Sequence, residues 1–212
     1  MTAVISIVQS DAVHFLTDGV AFDYDGSSSP IQKAVAIAHM PAIIAVRGPA
    51  ALATLAGAEL SMCASFDDLC AQLVAMLHRI ERSAEAWLKA SAGGVSWDIY
   101  VAGRRKREGW RAYMVCNHFR YGVDPFSLTE MPGVSYAPTY GAVDEAFGEI
   151  SAGLSPDDFN PATHGLRLML AQRAAGGPTF AGGFCQWTMA SEGGCRTRIL
   201  QRWPNDFRGA LT

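Results

Sequence analysis

A chain of 212 residues, half of them hydrophobic and 17% charged, holds enough apolar material for a sizeable core, and its charge is too low for a disordered segment. A formal net charge of −3 gives no general attraction to nucleic acid or to an anionic membrane, so neither is expected as a partner.

The first third reads as hairpins. Ala3 to Val8 is a β-branched run, Gln9-Ser10-Asp11 supplies turn chemistry, and Ala12 to Thr17 forms a second run that Asp18-Gly19 ends or bends. Residues 23–30 form a polar loop. Ala34 to Ala38 and Ala42 to Val46 follow as nearly all-apolar segments, the pattern of strands covered on both faces.

The middle reads as helical. Pro49 to Leu60 is rich in Ala and Leu, and Ser65 with Asp68 resembles a capping box. From there Phe66, Leu69, Leu73, Met76, Leu77, Ile80, Ala84, Trp87 and Leu88 recur at steps of three and four, predicting one long amphipathic helix stopped at Gly93-Gly94. Val95 to Ala102 and Trp110 to Cys116 predict a hairpin whose basic tip, residues 103–109, is read as a solvated turn. Val134 to Tyr140 adds a strand and Asp144 to Ile150 a helix. Asn160-Pro161 caps another helix that ends at Gly176-Gly177-Pro178. Gly183 to Ala190 and Arg196 to Trp203 close the chain as a hairpin. The element order predicts a single α+β domain over residues 1–212 with layered sheets.

Cys63, Cys70, Cys116, Cys185 and Cys195 are scattered and odd in number, which reads as reduced buried thiols. They show no zinc-ligand spacing, and the five histidines are dispersed, so no metal is expected. No phosphate-cradling Gly-rich loop follows a strand, so no cofactor is expected either. The start lacks the basic region of a signal peptide, and the longest apolar run, Ala34 to Val46, is too short to span a bilayer. A cytoplasmic location is the expectation.

The chemistry converges on the N-terminal segment. Thr2 follows Met1, and removal of Met1 would place a hydroxyl nucleophile and an α-amine, titrating near ~8, on one residue. Lys33 beside it would favour the alkoxide, and Asp18 would hold the lysine in place. Gly48 could offer a backbone N–H to a tetrahedral oxyanion.

In these residues the chain resembles the proteasome β-subunit branch of the N-terminal-nucleophile (Ntn) hydrolases. The features are a Thr-led first strand, Leu16-Thr17-Asp18-Gly19 closing the second, and Lys33 ahead of a hairpin whose strand Ile43 to Arg47 runs through Gly48 into a helix. The resemblance implies a four-layer αββα sandwich, an N-terminal threonine attacking a peptide or amide carbonyl, and homo-oligomers stacked or closed into rings. Two places depart from the family's pattern. Tyr140-Gly141-Ala142 stands where a Gly-Ser-Gly-like turn is expected, and Ala174 to Pro178 stands where an Asp and a Ser are expected. Without these partners for the amine, a non-catalytic scaffold or assembly subunit of the same fold is the alternative reading. An unrelated α+β binding module is the third.

Overall fold

The computed structural model describes residues 2–22, 27–89 and 96–207. In chain order its first strands are β1 (Val4–Val8), β2 (Ala12–Asp18), β3 (Val20–Phe22), β4 (Ser28–Pro30), β5 (Ala34–Ile37) and β6 (Ala42–Arg47). Helices α1 (Ala50–Leu60), α2 (Phe66–Ser83) and α3 (Glu85–Lys89) follow. Then come β7 (Asp98–Arg105), β8 (Gly109–Cys116), β9 (Thr129–Glu130), β10 (Val134–Ala137), α4 (Gly141–Ser151), α5 (Leu166–Gly176), β11 (Phe184–Ser191) and β12 (Gly194–Arg202).

Among the described residues the strands form one sheet in the order β10-β1-β2-β11-β12 and another in the order β5-β6-β7-β8-β9. A separate two-stranded ribbon pairs β3 with β4, and every pairing is antiparallel. Side-chain alternation explains why the central strands are apolar almost throughout. In β6, Ile43 and Ala45 join Val4, Phe15 and Tyr100 in a core between the two large sheets. Ala42, Ile44 and Val46 point the other way, into a core shared with α1 and α2. On β1 and β2, Ile5, Ile7 and Leu16 turn instead toward Val143, Leu168 and Met169 of α4 and α5. With both faces buried, no polar alternation survives in the sequence.

This arrangement corrects the expected four-layer αββα sandwich. Strands dominate and divide into three antiparallel sheets with a few covering helices, and the ribbon β3–β4 has no place in the simple four-layer scheme. The helical share is also smaller than the periodicity suggests. The apolar stripe starting at Phe66 forms α2, capped by the Ser65 hydroxyl accepting from Asp68 N–H at 3.1 Å. The helix stops at Ala84, whose backbone leaves helical values (φ −113°, ψ 14°), and α3 begins afresh. The predicted stop at Gly93-Gly94 lies outside the described residues, as do Val95 and positions 23–26 of the polar loop.

Asn160 does cap: its side-chain oxygen accepts from Ala162 and Thr163 N–H at 2.9 and 3.1 Å. The turn it opens, Pro161–Gly165, is a π-helical one that passes into α5. The basic hairpin tip is offset by acidic side chains, with Arg105 on Asp67 and Glu108, Arg104 on Glu192, and Arg111 on Glu108 and Glu130. No helix among the described residues is long and apolar enough to cross a membrane.

Candidate functional site

The site lies where β1 and β2 begin and end. Their ladder pairs Val4 with Thr17, which sets Ala3 beside Asp18. Asp18 N–H donates to the Ala3 carbonyl at 3.3 Å, and Ala3 N–H donates to Asp18 Oδ1 at 3.0 Å. Asp18 is wholly buried, and its carboxylate is saturated by donors. Lys33 Nζ reaches Oδ1 and Oδ2, both at 2.8 Å, and Gly182 N–H reaches Oδ2 at 3.3 Å. Lys33 sits immediately before β5 and is itself buried. Desolvation pushes its ammonium below the ordinary lysine value; Asp18 opposes that shift, and the neighbouring Arg47 adds to it.

Thr2, 5% exposed, directly precedes Ala3, the residue that Asp18 holds. Its carbonyl accepts from Arg47 Nε–H at 2.7 Å. The backbone around Thr2 is therefore held from both sides, by Arg47 at its carbonyl and by Asp18 through Ala3. Gly48 follows Arg47 and has φ +121°, a conformation that L side chains rarely adopt. A Cβ at Gly48 would lie 2.8 Å from the Ser96 carbonyl and 2.9 Å from Trp97 Cβ, so packing alone requires glycine there. The structure thus brings Asp18 and Lys33 into contact and puts the Thr2 carbonyl on Arg47, which Gly48 follows in the chain.

Where the resemblance leads one to expect a serine-bearing turn, β10 pairs with β1 in the register Val4 to Ala137, so residues 138–140 leave the sheet at the Thr2 end. Buried Gln172 supports that connection, donating to the Ala137 carbonyl at 2.9 Å.

Sequence reasoning did not identify Arg47 and Asp98. Arg47 NH1 donates to Asp98 Oδ2 at 2.6 Å, and this buried pair connects the second sheet to Thr2. The available signal was a charged residue ending an apolar strand, since a buried arginine needs a partner. Asp98 Oδ2 also accepts from Tyr121 at 2.9 Å and Tyr100 at 3.3 Å, and Tyr121 contacts Arg47 NH1 as well. Asp98 Oδ1 faces elsewhere. The β7–β8 ladder sets Asp98 opposite Cys116, and His118 Nε2 lies 2.6 Å from Oδ1. The ligand atoms of Asp98, Cys116 and His118 all fall within 4.8 Å of one another, a group with metal-ligating chemistry that the linear sequence did not suggest.

His14 and His39 are held by hydrogen bonds away from this group. His14 Nδ1 accepts from Trp187 Nε1–H at 3.1 Å while Nε2 lies 2.7 Å from Gln9 Oε1, and burial pushes the ring's pKa down to about 4, with Asp11 opposing. His39 Nε2 lies 2.9 Å from the Cys63 carbonyl.

No family model and no curated protein sequence matches the chain. Solved structures do. Anbu (ancestral beta-subunit) from Yersinia bercovieri superposes with a TM-score of 0.68 at 10% identity, over 94% of this chain and 87% of that one. The helical assembly of the Anbu complex from Pseudomonas aeruginosa gives 0.69 at 10% identity, covering 94% and 86%. The Gly-1 mutant of Anbu from Hyphomicrobium sp. strain MC1 gives 0.65 at 9% identity, covering 95% and 87%. These neighbours correct the branch read from the sequence, since Anbu proteins are proteasome-like but form a clade apart from the proteasome β-subunits. At such identities the likeness concerns the fold alone: this chain folds as Anbu subunits do.

Proposed function

We propose that the chain is an assembly subunit, building a homo-oligomeric particle from copies of this domain. The observation that carries this reading is the match over 94% of the chain to the Anbu complex of Pseudomonas aeruginosa, a structure described as a helical assembly. Light scattering behind size exclusion, with negative-stain microscopy of the same fractions, tests it. Particles of many copies support the reading; a monomer at every concentration up to the millimolar range defeats it.

A second reading, threonine amidohydrolysis, is favoured by one specific observation, the buried Lys33–Asp18 pair whose carboxylate holds Ala3, the residue after Thr2. In that reaction, once whatever precedes Thr2 is removed, the Thr2 hydroxyl is the nucleophile and its own α-amine the base. Lys33 favours the alkoxide, Asp18 fixes Lys33, and Gly48 N–H faces the oxyanion. Tyr140-Gly141-Ala142 and Ala174 to Pro178 stand where the resembling family carries further amine partners, so the expected rate is low. An electrophilic threonine probe followed by intact mass decides the matter. Single labelling of protein lacking Met1 that vanishes in Thr2→Ala supports hydrolysis, and equal labelling of both proteins leaves assembly as the sole function.

A further inference from the structure

We propose that Asp98, Cys116 and His118 form a binding site for a thiophilic divalent cation, with zinc as the best fit. The donor set is one sulfur, one nitrogen and one carboxylate oxygen, a combination that suits zinc and disfavours magnesium or calcium. The fold rather than sequence spacing assembles it. Asp98 and Cys116 are directly opposed across the β7–β8 ladder, so their side chains share a face, and His118 follows two residues later as the chain leaves β8.

The distribution of hydrogen bonds around Asp98 points to a ligand. The residue is 2% exposed, and Oδ2 is occupied by Arg47, Tyr121 and Tyr100. Buried Oδ1 has no hydrogen-bond partner, although His118 Nε2 lies 2.6 Å away. The two atoms are close without being aligned as donor and acceptor, and Cys116 Sγ completes the group. One carboxylate oxygen anchored by an arginine and two tyrosines, with the other turned toward His118 and Cys116, is how a metal-binding aspartate is oriented by the groups behind it.

The charges fit as well. Carboxylate and thiolate together cancel the ion's two charges, while Arg47 stays on the far oxygen. On binding, Cys116 loses its proton to solvent and gives up its 3.1 Å contact to the His118 carbonyl. His118 binds through Nε2, so its ring proton moves to Nδ1 and the long 3.3 Å contact from Arg120 N–H is lost. Nitrogen and oxygen on one tetrahedral zinc sit roughly 3.3 Å apart, so the ring backs off by about 0.7 Å. Its position in a partly exposed turn next to exposed Phe119 and Arg120 allows that movement and leaves a route for the ion. Three protein ligands leave a fourth position for water.

Cobalt(II) is the probe, because tetrahedral cobalt–thiolate coordination is visible in absorbance. Chelator-treated full-length protein titrated with cobalt is expected to develop these bands to one ion per chain and to lose them on addition of zinc. Cys116→Ser should abolish the sulfur-to-cobalt band, His118→Gln should weaken binding about tenfold or more, and Cys195→Ser, a half-buried thiol elsewhere, should change nothing. Should Cys116→Ser fail to fold, His118→Gln at its partly exposed position carries the test. The proposal is overturned by the absence of stoichiometric binding, or by binding that His118→Gln leaves intact.

Discussion

Lys33 donates to both oxygens of Asp18 at 2.8 Å, and the two side chains are 8% and 0% exposed. Little solvent reaches the pair, so each charge depends on the other. Asp18→Ala strands a buried ammonium and is expected to cost about 3–5 kcal/mol. Lys33→Met is expected to cost less, because Ala3 and Gly182 N–H still donate to the carboxylate. Urea unfolding of the single and double variants should show a double mutant less destabilised than the sum. Additive losses would mean that the two residues are not coupled.

Arg47 performs two tasks that a lysine cannot combine: Nε–H holds the Thr2 carbonyl while NH1 holds Asp98. Arg47→Lys is expected to lose roughly 2 kcal/mol or more, since one buried acceptor is left unmade. Thermal unfolding checks this, and faster exchange of the amide hydrogens of residues 2–4 should accompany it. A variant as stable as the parent would show that a lysine can satisfy both acceptors.

Gly48→Ala meets both a left-handed backbone and a carbonyl 2.8 Å from the new methyl. The expected loss is about 1–3 kcal/mol. Gly109 is the control: its φ is +78°, but nothing lies within 4 Å of an added Cβ. Gly109→Ala should therefore cost less in the same denaturation experiment.

His14 links stability to pH. Its folded pKa of about 4 lies below the ordinary 6.5, so between those values the unfolded chain binds more protons and stability rises with pH. Acidification from pH 6.5 toward 4 should therefore remove up to about 3 kcal/mol. Comparing the parent with His14→Phe cancels the carboxylates common to both. Parallel stability curves over that window would refute the assignment.

Much of the fold is legible because the code involved is local. The hairpins β1–β2, β5–β6 and β11–β12 are bounded by turn residues, and β6 is apolar from Ala42 to Val46 because it lies between two cores. The ribbon β3–β4 is not legible: each strand has three residues, and one of them is Pro30. The break in the long helix is hidden because the apolar stripe runs on past Ala84, where only the backbone changes direction. In the site, Thr2, Asp18 and Lys33 were readable as types at suggestive spacing. Asp98 was not, because its meaning depends on Arg47, 51 residues earlier, and on Cys116 across a ladder.

The ladder has a consequence for engineering. Asp98 and Cys116 are the last pair of a register that starts at the hairpin tip, where Arg105 faces Gly109. Seven steps of β-strand separate the two ends, about 24 Å. The exposed tip looks like a convenient place to graft a tag, yet it acts as the ruler for the buried end. A slip of one residue there would turn Cys116 to the opposite face and out of register with Asp98, which the β6–β7 ladder keeps opposite Arg47. Grafts at this turn therefore need to preserve the pairing of Arg105 with Gly109, whatever they display beyond it.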